Sequence, residues 1–169
     1  MTITVRSDRF GTIETSAADT IEFASGIIGF PTEQSFILVG HGRSDAVAWL
    51  QSTTTSALAF PVVSAHGFRG AYPDVPIQEI AAAHGLSDEP DDIAVMAVLS
   101  APPSGLATVN LMAPILVDTA AKKGAQVLLD GTRFSTRELY FQPRERESET
   151  EPAPPLTEDE EIGRASCRE

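Results

Sequence analysis

Ile93-Ala-Val-Met-Ala-Val-Leu-Ser-Ala-Pro-Pro-Ser-Gly-Leu-Ala-Thr-Val-Asn-Leu-Met-Ala-Pro-Ile-Leu-Val117 is the stretch on which the fold turns. Two apolar runs, Ile93 to Leu99 and Ala107 to Val117, flank Ala101-Pro-Pro-Ser-Gly105, and the pattern reads as a hairpin with a longer loop. Downstream, Gln126-Val-Leu-Leu129 leads into Asp130-Gly131, a favoured tight-turn pair, and Phe134 to Phe141 reads as the returning strand. Upstream, Ala57-Leu-Ala-Phe-Pro-Val-Val63 and Val47-Ala-Trp-Leu-Gln51 are further strands. Pro61 places the first of these at an edge or a bulge, because proline cannot donate a ladder hydrogen bond. Phe36-Ile-Leu-Val39 is closed by Gly40-His-Gly42. Thr20 to Phe23, Phe10 to Glu14 and Thr2 to Arg6 alternate polar with apolar residues, the period of a half-buried strand.

One segment has the helical period. Ile77, Ile80, Ala81 and His84 share a face after Pro76, and Gly85 supplies a C-terminal stop. The spacing predicts one short helix over about 76–84, with Ala81 to Ala83 allowing close packing on a sheet. The expected architecture is mostly β, a small closed or partly open antiparallel β-barrel-like domain with one helix; a sandwich shares these signals.

The composition limits what the domain can do. Of 169 residues, 24 are acidic and 12 basic, a net charge of -12. Residues 1–142 hold 15 acidic and 8 basic groups, and residues 143–169 hold 9 and 4. A phosphate backbone is repelled by that balance, so direct nucleic-acid binding is not expected. A basic protein partner is attracted. No run of about 18 apolar residues exists, which excludes a membrane-spanning helix. Met1 to Phe10 lacks the apolar stretch of a secretory signal, so a cytoplasmic location is expected. From Arg144 the chain reads RERESETEPAPPLTEDEE, too polar to offset its ordering entropy, and 143–169 is expected to be a disordered acidic tail. Residues 161–169, Glu161-Ile-Gly-Arg-Ala-Ser-Cys-Arg-Glu169, resemble on back-translation the read-through of a common sequencing adapter, a natural polar tail being the alternative. On the adapter reading Cys167, the only cysteine, is foreign to the natural chain.

Signals for catalysis are missing. Without cysteine, residues 1–142 can form no disulfide, thiolate metal site or cysteine nucleophile. There is no phosphate loop with a following Lys-Ser/Thr and no nucleophile elbow. Phe30-Pro31 would stop a phosphate-binding helix after Gly26-Ile-Ile-Gly29, which reads as a turn. His41, His66 and His84 lie in separate segments without metal-ligand spacing. Asp88, Glu89, Asp91 and Asp92 form the densest acidic cluster of the domain but lack the spacing and glycine of a calcium loop. They read as a solvated helix-to-strand connection or as an acidic contact for a basic partner. No enzymatic activity, cofactor or metal is expected.

Several phrases taken together resemble the flagellar assembly factor FliW family. They are Arg9-Phe-Gly-Thr-Ile13, Ile21-Glu-Phe23 with Gly26-Ile-Ile-Gly-Phe-Pro31, Trp49-Leu-Gln-Ser52, Ala59-Phe60, Val109-Asn-Leu-Met-Ala-Pro-Ile115 and Gln126-Val-Leu-Leu129. The resemblance runs from about Thr2 to Phe141. Asp118 stands where the family usually carries Asn. The resemblance implies a compact barrel-like scaffold, monomeric when free, that binds the carbon storage regulator CsrA, a small basic RNA-binding dimer. It also implies binding of flagellin, which competes for the factor, so that flagellin mRNA translation responds to a partner switch. A small-molecule-binding barrel, a flagellin-only chaperone and a structural flagellar component are the alternatives. Phe30, Trp49, Leu50, Phe60, Leu111 and Ile115 have the volume of core residues. Gln51 and Asn110, amides in apolar strands, either satisfy loop backbone or face a partner. The expected partner-contact residues are Phe30, Gln51, Asn110, Asp88, Glu89, Asp91 and Asp92.

Overall fold

A computed structural model describes residues 1–42, 44–65, 72–103 and 105–140. Its strands are β1 (Thr2–Ser7), β2 (Gly11–Ser16), β3 (Ile21–Phe23), β4 (Ser35–His41), β5 (Ser44–Ser52), β6 (Ala59–Ser64), β7 (Ile93–Ser100), β8 (Thr108–Asp118), β9 (Lys123–Gln126) and β10 (Glu138–Leu139). One helix, α1 (Ile77–Ala83), precedes a 3-10 turn over Pro90–Asp92. The main sheet runs β10-β8-β7-β6-β5-β4-β3-β9, and β9 pairs again with β8. Seven strands therefore close into a barrel, with β10 attached outside the ring. The hairpin β1–β2 forms a separate two-stranded sheet.

Closure differs from expectation in one respect. Every pairing is antiparallel except β3 with β9, which is parallel and sets Phe23 against Gly124. At that seam the Phe23 ring lies where a Gly124 side chain would be. The missing side chain lets the ring fold onto the seam and still fill the interior. Phe23 packs edge-on against Phe36, with centroids 5.4 Å apart. Phe23, Phe36, Leu50, Val62, Ile115 and Val117 belong to one inner core, so the lumen is filled by side chains, as a small barrel requires.

The outer wall is covered in three places. Ala81 of α1 packs with Leu86, Ile93, Leu116 and Val127. Val47, Val63, Ala97 and Val109 are covered by Phe134, with Tyr72 and Leu129 against them. The hairpin β1–β2 lies over β5 through Ser7 and Arg9. The helix ends where its sequence says it should: Gly85 adopts φ +75, and the Leu86 amide reaches back to the Ala81 carbonyl. Pro76 is its N-cap, Ala82 and Ala83 are exposed, and His84 is exposed at the C-cap.

Four details depart from the sequence reading. β6 is an interior strand, so Pro61 is not at an edge, and its pairing with Trp49 lies in an unbroken register and not at a bulge. The Ser52 amide bonds to the Leu58 carbonyl, and by alternation the Pro61 nitrogen faces β7. The β6–β7 ladder begins only at Val62, so no hydrogen bond is forfeited. β9 spans Lys123–Gln126; beyond it Val127 and Leu129 make single bonds to Pro114 and Met112. The cause is a bulge in β8. Met96 faces Ile115 and Val98 faces Asn110, so Leu111 to Pro114 stand opposite Ala97 alone. Finally, Asp130-Gly131 is not a two-residue hairpin, because the Asp130 carboxylate accepts from the Thr132 amide and hydroxyl. The returning strand shrinks to Glu138–Leu139, paired with β8; Phe141, His66 and residues 143–169 lie outside the described residues.

The seam yields a test of the fold. A methyl group at Gly124 must displace the Phe23 ring, so Gly124→Ala is expected to cost about 1–3 kcal/mol. The check is a urea titration comparing the variant with the parent chain, and an unchanged midpoint would show that the seam does not limit closure.

Candidate functional site

Two phrases far apart in sequence meet on the outer face of β5. Leu50 points into the barrel, so its neighbours Trp49 and Gln51 point outward. The turn of the β1–β2 hairpin lies over them. The Arg9 guanidinium stacks 4.0 Å from the Trp49 ring centroid, and Phe10 meets the same ring edge-on at 6.0 Å. The Ser7 hydroxyl accepts from the Arg9 and Phe10 amides and donates to Gln51 Oε1 at 2.7 Å. The Gln51 amide nitrogen donates to the Ser52 and Leu58 carbonyls at 3.0 and 3.1 Å, with longer contacts to Thr55 and Ser56. Gln51 is wholly buried. The expectation that it touches a partner gives way to its alternative, satisfaction of loop backbone.

Glu33 works on the same loop from the other side. Its carboxylate accepts from the hydroxyls of Ser52, Thr54 and Thr55, and these bonds, that from Ser52 foremost, hold its pKa below the usual carboxylate value. Glu33 does not stand out in the sequence. Its only signal was a cluster of hydroxyl residues at 52–55 beside an otherwise ordinary surface acid.

Phe30 sits on a loop that folds over the open end of the inner face. Gly26 and Gly29 take positive φ, and Gly26 lies so close to the Phe30 and Pro31 backbone that any side chain would collide with it. Gln126 ties this loop to the barrel: its Oε1 accepts from the Ile28 amide at 2.8 Å, and its Nε2 donates to the Ala113 carbonyl at 3.1 Å. Ile27 points into the core, whereas Ile28 and Phe30 are 53% and 41% exposed. Phe30 packs on Phe60 at 5.5 Å. Asn110 shares the inner face with Phe60 and Val62 through the row Ala48, Val62, Val98, Asn110. It is half-buried, and its Oδ1 accepts from the Met112 and Ala113 amides, fixing the β8 bulge.

The acidic connection is a separate surface. Asp88, Glu89 and Asp91 are exposed. Asp92 is half-buried: its carboxylate accepts from the Ser87 hydroxyl, and its carbonyl accepts from the Thr119 amide and hydroxyl. Beneath them lies Asp118, 4% exposed, accepting from the amides of Ala121, Ser87 and Ala120. The Ala121 bond leads the effects that lower its pKa; desolvation opposes them, and Lys123 adds to them. Asp92 and Asp118 thus brace the acidic connection from below. Among the described residues, no cluster of His, Cys, Asp and Glu could hold a metal ion, and no helix is long and apolar enough to cross a membrane.

The model of the FliW protein family matches residues 4–140. The chain belongs to the FliW family. A flagellar assembly factor FliW from Syntrophotalea carbinolica is 33% identical over 129 residues, covering 76% of this chain and 91% of that protein. One from Desulfitobacterium hafniense strain DSM 10664 / DCB-2 is 34% identical over 138 residues, covering 81% and 90%. A crystal structure of the flagellar assembly factor FliW superposes with TM-score 0.72 at 27% identity, over 84% of this chain and 99% of that one. The FliW resemblance read from Thr2 to Phe141 and the mostly-β barrel fold are both established by these matches. In this FliW chain the Arg9 and Trp49 phrases hold one another, and the Val109 to Ile115 phrase builds the bulge.

Two measurements test the buried polar groups. Gln51→Leu leaves the Ser7 hydroxyl and the Ser52 carbonyl without the amide they bond to and removes the second donor to the Leu58 carbonyl, an expected loss of about 1–3 kcal/mol by urea denaturation. For Asp118 the sign follows from its lowered folded-state pKa: its contribution is complete above the unfolded value and lost as pH falls through the folded one. Asp118→Asn should therefore lower Tm at about pH 7 and shrink the difference from wild type toward about pH 3. A deficit independent of pH would assign the effect to geometry instead of charge.

Proposed function

We propose that this chain is a cytoplasmic, monomeric partner-switching factor, binding the basic translational regulator CsrA and flagellin, so that flagellin mRNA is released from repression until flagellin accumulates. Family membership supports the flagellar setting. The observation that carries the regulator arm is the exposed trio Asp88, Glu89 and Asp91 on a turn fixed by Asp92 and Asp118. A rigid acidic ridge on an acidic domain attracts a basic dimer and sets its orientation. It also places negative potential beside that dimer's RNA-binding surface, which opposes phosphate binding without contact to any base. Phe30 and Asn110, on the inner-face side, are the proposed contacts for an apolar partner surface. The packed lumen weighs against a small-molecule barrel.

Calorimetric titration of the full chain with cognate regulator and cognate flagellin, each at low and high salt, tests this reading. The charge reversal Asp88→Lys, Glu89→Lys, Asp91→Lys should weaken regulator binding about tenfold at low salt and less at high salt. Asp92 is left intact because its bonds hold the turn. Regulator affinity unaffected by the triple change would remove the ridge, and binding of flagellin alone would leave a flagellin chaperone.

A further inference from the structure

We infer that the outer half of β4, Leu38 to Gly40, is a docking edge for an extended segment of a partner protein, taken up by strand addition. β3 pairs with β4 only at Ser35 and Phe36. The direction of each backbone group follows from bonds on either side. The Thr53 amide bonds to the Ser35 carbonyl, so Ser35, Ile37 and Val39 face β5. The Phe23 amide bonds to the Gln34 carbonyl, so Gln34, Phe36, Leu38 and Gly40 face the other way. Past Phe36 no strand among the described residues pairs on that side, and the outward N–H and C=O groups of Leu38 and Gly40, both exposed residues, stand at ladder spacing.

The side chains beside this edge are apolar. Leu38 is 44% exposed although it points to the inner face, in the cross-strand row Leu38, Leu50, Phe60. A residue paired opposite Leu38 would point to the same inner face and lie beside the exposed Leu38 side chain. Exposed edges in natural sheets are commonly blunted by Lys, Pro or inward charge. Leu38-Val-Gly40 carries none of these.

The occupant is a flexible segment and not a second folded copy. Ile28, Phe30 and Leu38 together expose apolar area on the order of a few hundred Å². A stable pair of folded subunits buries about 800 Å² on each side. Strand addition suits the smaller surface, because main-chain bonds supply affinity and one inward side chain supplies selectivity. With 15 acidic against 8 basic groups in residues 1–142, basic flanks on the segment complete the match.

The experiment is amide hydrogen exchange on the full chain with three probes: cognate flagellin, cognate regulator and a synthetic Lys-Thr-Val-Thr-Val-Thr-Lys peptide in excess. Exchange at Leu38 and Gly40 should slow with the peptide and with a bound protein, while Val39, already paired with β5, stays as it was. Gly40→Pro removes the outward-facing donor, leaves the Val39 bonds to β5 in place and fixes φ at 40, and Leu38→Lys puts a charge on the edge. Each should weaken binding about tenfold while thermal unfolding confirms the fold. Binding without protection of these two amides, or affinity unchanged in both variants, would overturn the inference. Self-association of the chain through this edge, seen by light scattering and abolished in Gly40→Pro, would overturn it in favour of a second copy. Should neither protein bind, the partner-switch reading fails by itself, and protection by the peptide decides the edge.

Discussion

Closure of the barrel rests on the contact between the Phe23 ring and the backbone of Gly124. β3 contributes three residues and β9 four, so the seam has little hydrogen bonding of its own. What joins these short strands is the ring, which occupies the volume that any other residue at 124 would fill and passes on to Phe36. The rest of the ring is a run of antiparallel neighbours that needs no such device. Because the parallel step occurs at the seam, the chain can reach β9 from the far end of β8 through a tight turn, with Lys122 at φ 55 and the Asp118 carboxylate holding the turn amides.

Much of the fold was legible because the strands alternate. Every strand-like run named from sequence in the first 118 residues overlaps a strand, and Gly85 ends the helix as its position suggested. What escaped was set by tertiary structure. Pro61 looked like an edge marker, yet a proline is equally at ease where a neighbouring ladder has not begun. The Asp130-Gly131 pair resembled a hairpin turn, but one carboxylate turned inward on its own loop changes the path. The β8 bulge was hidden since Pro114 and Asn110 have meaning only once their pairing is known.

The candidate surface was less legible than the fold, for a related reason. Gln51 and Asn110 stood out as amides among apolar residues, and polarity in a strand signals a need for hydrogen bonds without saying who meets it. Both are satisfied internally to different degrees, Gln51 completely and Asn110 at the bulge. Phe30 stood out as bulk; one edge lies on Phe60 and the rest is in solvent. The free part of β4 left no trace in composition, since it exists only because β3 is short.

The Ser7–Gln51 bond spans 44 residues and ties the hairpin turn to the barrel wall. Neither residue is replaceable alone: an apolar residue at 51 strands a serine that also caps its own turn, and loss of the serine leaves a buried carbonyl oxygen unpaired. Across descendants of this sequence the two positions should therefore drift as a pair. A lineage that exchanged the amide for an aliphatic side chain would have to rebuild the hairpin turn in the same step.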